Sequence, residues 1–102
     1  MQYKIKAIQN IGIVYRYLIE KDKSIHTAFC GLLIDLGIDK DEVLEQLDII
    51  FDDLNDEFIY LNNNNLDIYL FITKDNINLV IKTKINQKEL NKKISKYFIL
   101  PE

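Results

Sequence analysis

A chain of 102 residues, of which 48% are hydrophobic and 28% charged, has the size and composition of one folded domain. No apolar run approaches the ~20 residues that a membrane-spanning helix needs, and the first residues lack the apolar segment and small-residue cleavage site of a secretory signal. The single cysteine, Cys30, excludes an internal disulfide. The sequence therefore predicts one compact α+β domain over residues 1–102, located in the reducing cytoplasm and not in a membrane.

Charge is distributed unevenly along the chain. Residues 39–57 contain nine acids and one base, a local net charge of −8 in a chain whose total is −3. Residues 1–24 carry a net charge of +3 and residues 74–102 a net charge of +4, so two basic ends offset the acidic middle. A chain polarised in this way is expected to present surfaces that meet charged surfaces on a partner.

The opening segment, residues 4–21, predicts a helix because its apolar side chains recur at intervals of three and four. These side chains are Ile5, Ile8, Ile11, Val14, Tyr15 and Leu18. The same spacing continues over residues 25–36. There, Ser24 is the predicted N-cap of a second helix and Gly37 is the residue that ends it.

A third helix is predicted to begin at Asp39, which is placed to form a capping box with Glu42. It is expected to end near Asn55. Its predicted buried side chains are Val43, Leu44, Leu47, Ile50, Phe51 and Leu54. The N-terminal half of the chain is therefore predicted to be helical.

After the acidic segment, the apolar period changes to two, which is typical of strands. The predicted strands are residues 58–61, 66–73 and 77–85, joined as an antiparallel meander with the second strand in the centre. A last helix follows, capped by Asn86 and Glu89 and extending to Tyr97 and Phe98. The predicted fold is therefore α+β in the order α-α-α-β-β-β-α.

The predicted sheet is apolar on both faces. One face is aliphatic and must pack on helices, whereas the other carries Tyr69, Phe71 and Val80, with Tyr60 placed near them. Either the first or the last helix covers that second face, or another chain does. Because covering both faces takes more helix than so short a chain provides, the sequence predicts a homodimer with these residues at the contact.

The acids Asp41, Glu45, Asp48, Asp52 and Asp56 are spaced by four, three, four and four, so the third helix is expected to carry them as one acidic ridge. Like charges at this spacing repel each other by ~0.2–0.5 kcal/mol per pair. The ridge is either a solvated surface, a binding site for a basic protein surface, or a divalent-cation site. The neighbouring acidic loop lacks the glycine and the downstream glutamate of an EF-hand, which argues against the cation.

The last predicted helix presents lysines at positions four apart, close to two lysines of the last strand. These residues are Lys88, Lys92 and Lys96 on the helix and Lys82 and Lys84 on the strand. They form either a solvated surface that protects the sheet edge, a phosphate site, or a partner of the acidic ridge.

The segment Leu36-Gly37-Ile38, with Val43 and Leu47, matches the turn glycine and the flanking apolar positions of a helix-turn-helix. With three predicted helices followed by a β-hairpin, the chain resembles the winged helix-turn-helix domains over about 20 residues. The resemblance implies a DNA-binding role for the third helix.

Three features argue against nucleic acid as the partner. The predicted recognition helix is acidic, so phosphates would repel it. Leu33 stands where the motif has a small residue. Arg16 is the only arginine, which leaves few side chains for bidentate reading of guanine.

Few side chains are available for catalysis. His26 is the only histidine, so a histidine-based triad or a multi-histidine zinc site has nothing to build on. Cys30 lies beside an apolar stripe and is interpreted as a packed residue. Gly12 and Gly31 are expected inside helices, where close approach of two backbones explains them better than a phosphate loop does. The sequence therefore predicts a protein that is not an enzyme and has no cofactor and no metal site.

These features favour a small acidic protein that binds stoichiometrically to a basic surface of another protein. Inhibitors, immunity proteins and adaptors of phages and mobile elements act in this manner. The alternatives are a winged-helix nucleic-acid binder that uses the C-terminal lysines, and a homo-oligomeric structural protein joined through the second sheet face.

Overall fold

The computed structural model describes residues 3–52 and 56–101, which form a single sheet with helices packed on one side of it. The strands are β1 (Tyr3–Ile11), β2 (Val14–Glu20), β3 (Glu57–Asn62), β4 (Leu66–Ile72), β5 (Asn76–Thr83) and β6 (Phe98–Ile99). The helices are α1 (His26–Asp35), α2 (Lys40–Ile50) and α3 (Gln87–Ile94), and a 3-10 turn (Lys23–Ile25) precedes α1. Within the described residues the strand order is β3-β4-β5-β2-β1-β6, with β6 parallel to β1 and the other neighbours antiparallel.

The predicted order α-α-α-β-β-β-α is wrong, because residues 4–21 belong to a β-hairpin and not to a helix. A β-bulge interrupts the pairing of β1 with β2 between Ile5 and Ala7. The bulge shifts the alternation of β1 by one residue, so Ile5 and Ile8 face the same side although they are three positions apart. The bulge thus reproduces one three-residue interval of the apolar spacing that is typical of a helix, whereas Ile11 pairs with Val14 and faces the other side of the sheet.

The turn of this hairpin depends on Gly12. Gly12 and Ile13 connect β1 to β2, and the φ angle of Gly12 is +61°. A type II′ turn requires a positive φ at the first of its two central residues, and glycine adopts that conformation without steric cost. Gly12 is therefore a turn residue, and the prediction that it lies inside a helix is wrong.

The two helices after the hairpin lie close to their predicted signals. Gly37 follows α1 with a φ angle of +95°, the left-handed conformation of a residue that ends a helix. The Asp39 carboxylate caps α2 by accepting a hydrogen bond from the backbone N–H of Glu42 at 3.3 Å. The predicted N-cap Ser24 lies inside the 3-10 turn before α1, and Asp22 caps that turn, because its carboxylate accepts from the backbone N–H of Ser24 at 2.8 Å. α1 itself begins after Ile25 without a side-chain cap.

The resemblance to a winged helix-turn-helix does not extend to the fold. α1, the turn at Gly37 and α2 do follow one another as in that motif. In the part of the chain that the structure describes, however, a β-hairpin takes the place of the first helix, and all strands join one larger sheet. The three-helix unit that the resemblance implies is therefore not formed by these residues.

The C-terminal half contains the expected antiparallel run β3-β4-β5, with β4 in the middle, but this run is only half of the sheet. β5 also pairs with β2 along its length, from Val14 opposite Lys82 to Glu20 opposite Asn76. α3 ends at Ile94, so Tyr97 and Phe98 lie beyond it, and Phe98 pairs with Tyr3 in β6. The halves of the molecule are thus joined through the β2–β5 pair at the centre of the sheet.

The hydrophobic core lies between the sheet and the three described helices. The sheet contributes Tyr15, Tyr17, Ile19, Ile59, Leu61, Leu66, Ile68, Leu70, Ile72, Ile77, Leu79 and Ile81. The helices contribute Phe29, Leu32, Leu33, Val43, Leu47, Ile50, Leu90 and Ile94. The Tyr17 hydroxyl reaches into this layer and donates to Asn91 Oδ1 of α3 at 2.9 Å, and burial raises the pKa of that hydroxyl.

Candidate interaction surfaces

The side of the sheet away from the helices, here called the outer face, is open in the described structure. Residues paired directly opposite each other share a face, so Phe58 and Phe71 form one row and Tyr60, Tyr69 and Val80 the next. None of these five belongs to the core that the sheet shares with the helices. They are called the outer patch below.

The rings of the outer patch contact one another. The ring centroids of Phe58 and Phe71 are 4.9 Å apart, and those of Tyr60 and Tyr69 are 5.1 Å apart. Phe58, Tyr60 and Phe71 nevertheless remain 53%, 48% and 46% exposed. Contiguous exposed apolar area of this kind is typical of interaction sites on soluble proteins.

A polar pair borders the outer patch. The Tyr60 hydroxyl donates a hydrogen bond to Asp67 Oδ1 at 2.5 Å, and this bond raises the pKa of the Tyr60 hydroxyl. Asp67 in turn lies directly opposite Lys82 of β5. The tyrosine is therefore held in place at the margin of the apolar area.

The predicted interface residues Tyr69, Phe71 and Val80 lie together on the outer face, where Phe71 is exposed, Tyr69 is half-buried and Val80 is buried at 8% exposure. Neither of the two helices that were expected as alternative covers lies over it: residues 4–21 are strands, and α3 packs on the opposite side. Sequence reasoning did not assign Phe58 to this face. The position of Phe58 follows from the register of β3 with β4, which places it directly opposite Phe71.

The rest of the outer face is polar. In strands β2 to β5 it carries two acids, Asp67 and Glu20, and two bases, Arg16 and Lys82. β1 adds two further bases, Lys4 and Lys6, on the side opposite the buried Ile5. The half-buried Asn78 lies between Phe71 on one side and Leu18 on the other. The outer face therefore combines an apolar half with a polar half whose excess positive charge lies on β1.

On the helical side, α2 carries the exposed carboxylates of Asp41, Glu45 and Asp48, called the α2 acids below. In residues 3–52 and 56–101, no base lies within ion-pairing distance of these three groups. Asp48 lies in the last turn of α2, where the helix dipole favours a cation. The α2 acids are therefore unneutralised by the described residues.

The predicted five-residue acidic ridge is only partly helical. α2 ends at Ile50, so the exposed Asp52 and Asp56 lie outside the helix and do not continue its ridge. The predicted end of the helix near Asn55 lies outside the described residues. The Asp52 backbone carbonyl accepts a hydrogen bond from Lys21 Nζ at 2.9 Å.

The lysines of the predicted last helix have different neighbours. Lys96 lies two residues beyond the end of α3 and forms an ion pair with Asp35 Oδ2 at 3.3 Å, at the end of α1. Lys88 and Lys92 lie on α3 and are exposed. Pairing of α3 with the α2 acids, one of the predicted alternatives, is thus not seen among the described residues. The partner of α3 there is the C-terminal end of α1.

The three residues considered for catalysis or for a phosphate loop, His26, Cys30 and Gly31, all pack against other side chains of the fold. His26 is exposed and lies against Phe51, with ring centroids 5.1 Å apart. Cys30 is half-buried against the core. At Gly31, an added Cβ would lie 2.7 Å from Cε1 of Tyr97, so the close approach there is made by a ring and not by a second backbone.

An open groove of about 560 Å³ lies at the end of the sheet, between the β3–β4 turn and the last residues of β5. Two of its polar side chains bond within the fold. Asn63 donates to the Leu36 carbonyl at 2.7 Å, and the Thr83 hydroxyl donates to the Asn65 carbonyl at 2.8 Å. In the described part of the chain, no three His, Cys, Asp or Glu side chains come together as a metal site.

Comparison with known proteins gives no relative for this chain: no family model, curated protein or solved structure matches it. Among the described residues, no helix has the length and apolar character needed to cross a membrane.

Proposed function

We propose that this chain is a non-enzymatic protein-binding module of the cytoplasm. It acts as a small acidic inhibitor, immunity protein or adaptor, of the kind that phages and mobile elements encode. The α2 acids bind a basic surface on the partner. The observation that carries the proposal is that Asp41, Glu45 and Asp48 are exposed on one helix, with no neutralising base among the described residues.

The energetics of α2 support this role. Asp41 and Glu45 are four positions apart and Glu45 and Asp48 three, so each neighbouring pair costs ~0.2–0.5 kcal/mol in repulsion. Asp41 gains from the helix dipole in the first turn, but Asp48 loses in the last. A basic partner removes both unfavourable terms when it binds, and the complementary charges accelerate its association.

Neutralisation of the α2 acids provides the test. The variant Asp41→Asn/Glu45→Gln/Asp48→Asn removes three charges from α2. A matched control, Glu57→Gln/Asp75→Asn/Glu89→Gln, removes the same charge from exposed acids elsewhere. Each protein is immobilised and exposed to an extract of the native host at low and at high salt, and retained proteins are quantified.

The expected result is a partner that the wild type and the control retain at low salt and that the α2 variant loses. Retention by the wild type should fall as salt rises, because exposed charges are screened. Thermal unfolding of all three proteins shows whether the fold is intact. A partner retained equally by the wild type and by the folded α2 variant would falsify the role of α2.

A further inference from the structure

We infer that the outer face is the binding site for a second copy of this chain. The two outer patches pack against each other, and the helices lie on the outside of a two-fold symmetric dimer. This inference is independent of the role of α2, because the two surfaces lie on opposite sides of the sheet. Three observations carry it: the area of the face, its charge and the place of its apolar half.

The area of the outer face suits a stable dimer. Five strands ~4.8 Å apart, each with about seven residues at ~3.3 Å, cover ~550 Å² in projection. The accessible area of a face that carries side chains exceeds its projection, which brings it close to the ~800 Å² per partner of a standard interface. β1 to β5 are six to nine residues long and supply such a face.

The charge of the outer face suits a second copy better than a charged ligand. Its two acids and two bases in β2 to β5 cancel, so the part of the face around the outer patch does not repel its copy. The two further bases of this face, Lys4 and Lys6, lie on β1, at the side of the sheet away from the outer patch. The helical side differs, because residues 39–50 hold five acids and one base. Contact between outer faces keeps the two acidic helices on opposite outer surfaces, separated by both sheets and far beyond the ~8 Å Debye length at physiological salt.

The apolar half of the outer face fixes how the copies meet. Phe58, Tyr60, Tyr69 and Phe71 lie on β3 and β4, at one side of the sheet, while Arg16 lies on β2. Packing one outer patch on the other buries aromatic rings against aromatic rings and leaves the charged groups at the rim. An apolar centre with a polar rim is the usual anatomy of a protein interface.

The test uses lysine substitutions at two points of the outer face. Phe71→Lys places a charge in the outer patch. Asn78→Lys places one on β5, two strands away from the free edge of the sheet at β3. Leu44→Lys on α2 is the matched control, since Leu44 is 47% exposed and Phe71 46%. Molar mass is measured by light scattering and sedimentation from low to high micromolar concentration, with circular dichroism to verify the fold.

The wild type and Leu44→Lys should be dimers, and Phe71→Lys and Asn78→Lys should dissociate at least about tenfold more readily, a difference of about 1.4 kcal/mol. If Phe71→Lys does not fold, the molar mass of Asn78→Lys decides whether the outer face is the dimer contact. A wild type that is monomeric at high micromolar concentration overturns the inference. So does a dimer that survives Asn78→Lys, because pairing of two β3 edges would explain it, or a dimer that Leu44→Lys breaks.

Discussion

The two faces of the sheet are built from the same strands but have opposite surroundings. On β4, Leu70 is 0% exposed against the helices, whereas its neighbour Phe71 is 46% exposed on the outer face. The inner side chains are mostly aliphatic, and the outer patch is mostly aromatic. The difference shows that apolar character alone does not assign a residue to the core. The face on which it lies decides whether it stabilises the fold or is available for binding.

Truncation of adjacent residues on β4 tests this difference most strongly. Leu70→Ala should lower the free energy of unfolding by about 2–5 kcal/mol, because it leaves a cavity between sheet and helices. Phe71→Ala should change it by less than about 1 kcal/mol, since Phe71 is partly solvated already. Urea unfolding at a concentration where the protein is monomeric measures both. Equal losses would mean that the outer face is also part of the core.

The tyrosines of the two faces should differ at alkaline pH. Burial raises the pKa of Tyr17 above its ordinary value of about 10, so the unfolded state loses this proton first. The contribution of Tyr17 to stability is therefore complete below pH ~10 and is lost as pH rises through its folded pKa.

Tyr17→Phe should make the alkaline decline in stability shallower, and Tyr60→Phe should leave most of that decline in place. Tyr60 is exposed, and the hydrogen bond to Asp67 is the largest cause of its raised pKa. The measurement is the melting temperature of each protein across the alkaline range. Indistinguishable pH profiles for Tyr17→Phe and the wild type would show that ionisation of the buried Tyr17 does not cause the alkaline loss of stability.

The exposed side of the helical layer gives the smallest expected effect. Asp48→Lys should stabilise the monomer by up to ~1 kcal/mol, because it removes repulsion with Glu45 and suits the C-terminal end of α2. Glu89→Lys in the first turn of α3 should have the opposite sign, since the dipole there favours an acid. Thermal unfolding compares them. If both substitutions changed the stability in the same direction, the helix dipole would not explain the effect.

The sequence predicted the features that depend on neighbouring residues. The caps at Asp39 and Asn86 and the end of α1 at Gly37 are set by side chains within three or four positions, and the structure contains all three. Alternation in β4 and β5 likewise placed Tyr69 and Phe71 on one face. Local chemistry was sufficient in each case.

The features that sequence reasoning missed depend on distant partners. β2 alternates Tyr15, Tyr17 and Ile19 inward, but its strand character is completed by β5 some sixty positions later. The bulge in β1 interrupts the alternation of inward and outward side chains, so the period of two that marks a strand is broken in the sequence. Phe58 could be assigned to the outer face only from the register of β3 with β4. The prediction that the acidic ridge continues to Asp52 is wrong, because α2 ends at Ile50.

The central β2–β5 pair also has a consequence for the order of folding. Val14 is paired with Lys82 and Glu20 with Asn76, so the middle of the sheet closes a very long loop. Sequence-distant contacts of this kind slow folding, because the entropy of loop closure is lost before the pairing is gained. During synthesis at ~5–20 residues per second, the N-terminal hairpin and both following helices are made seconds before β5. The edge of β2 that pairs with β5 must therefore remain unpaired, or be shielded by a chaperone, until the C-terminal half arrives.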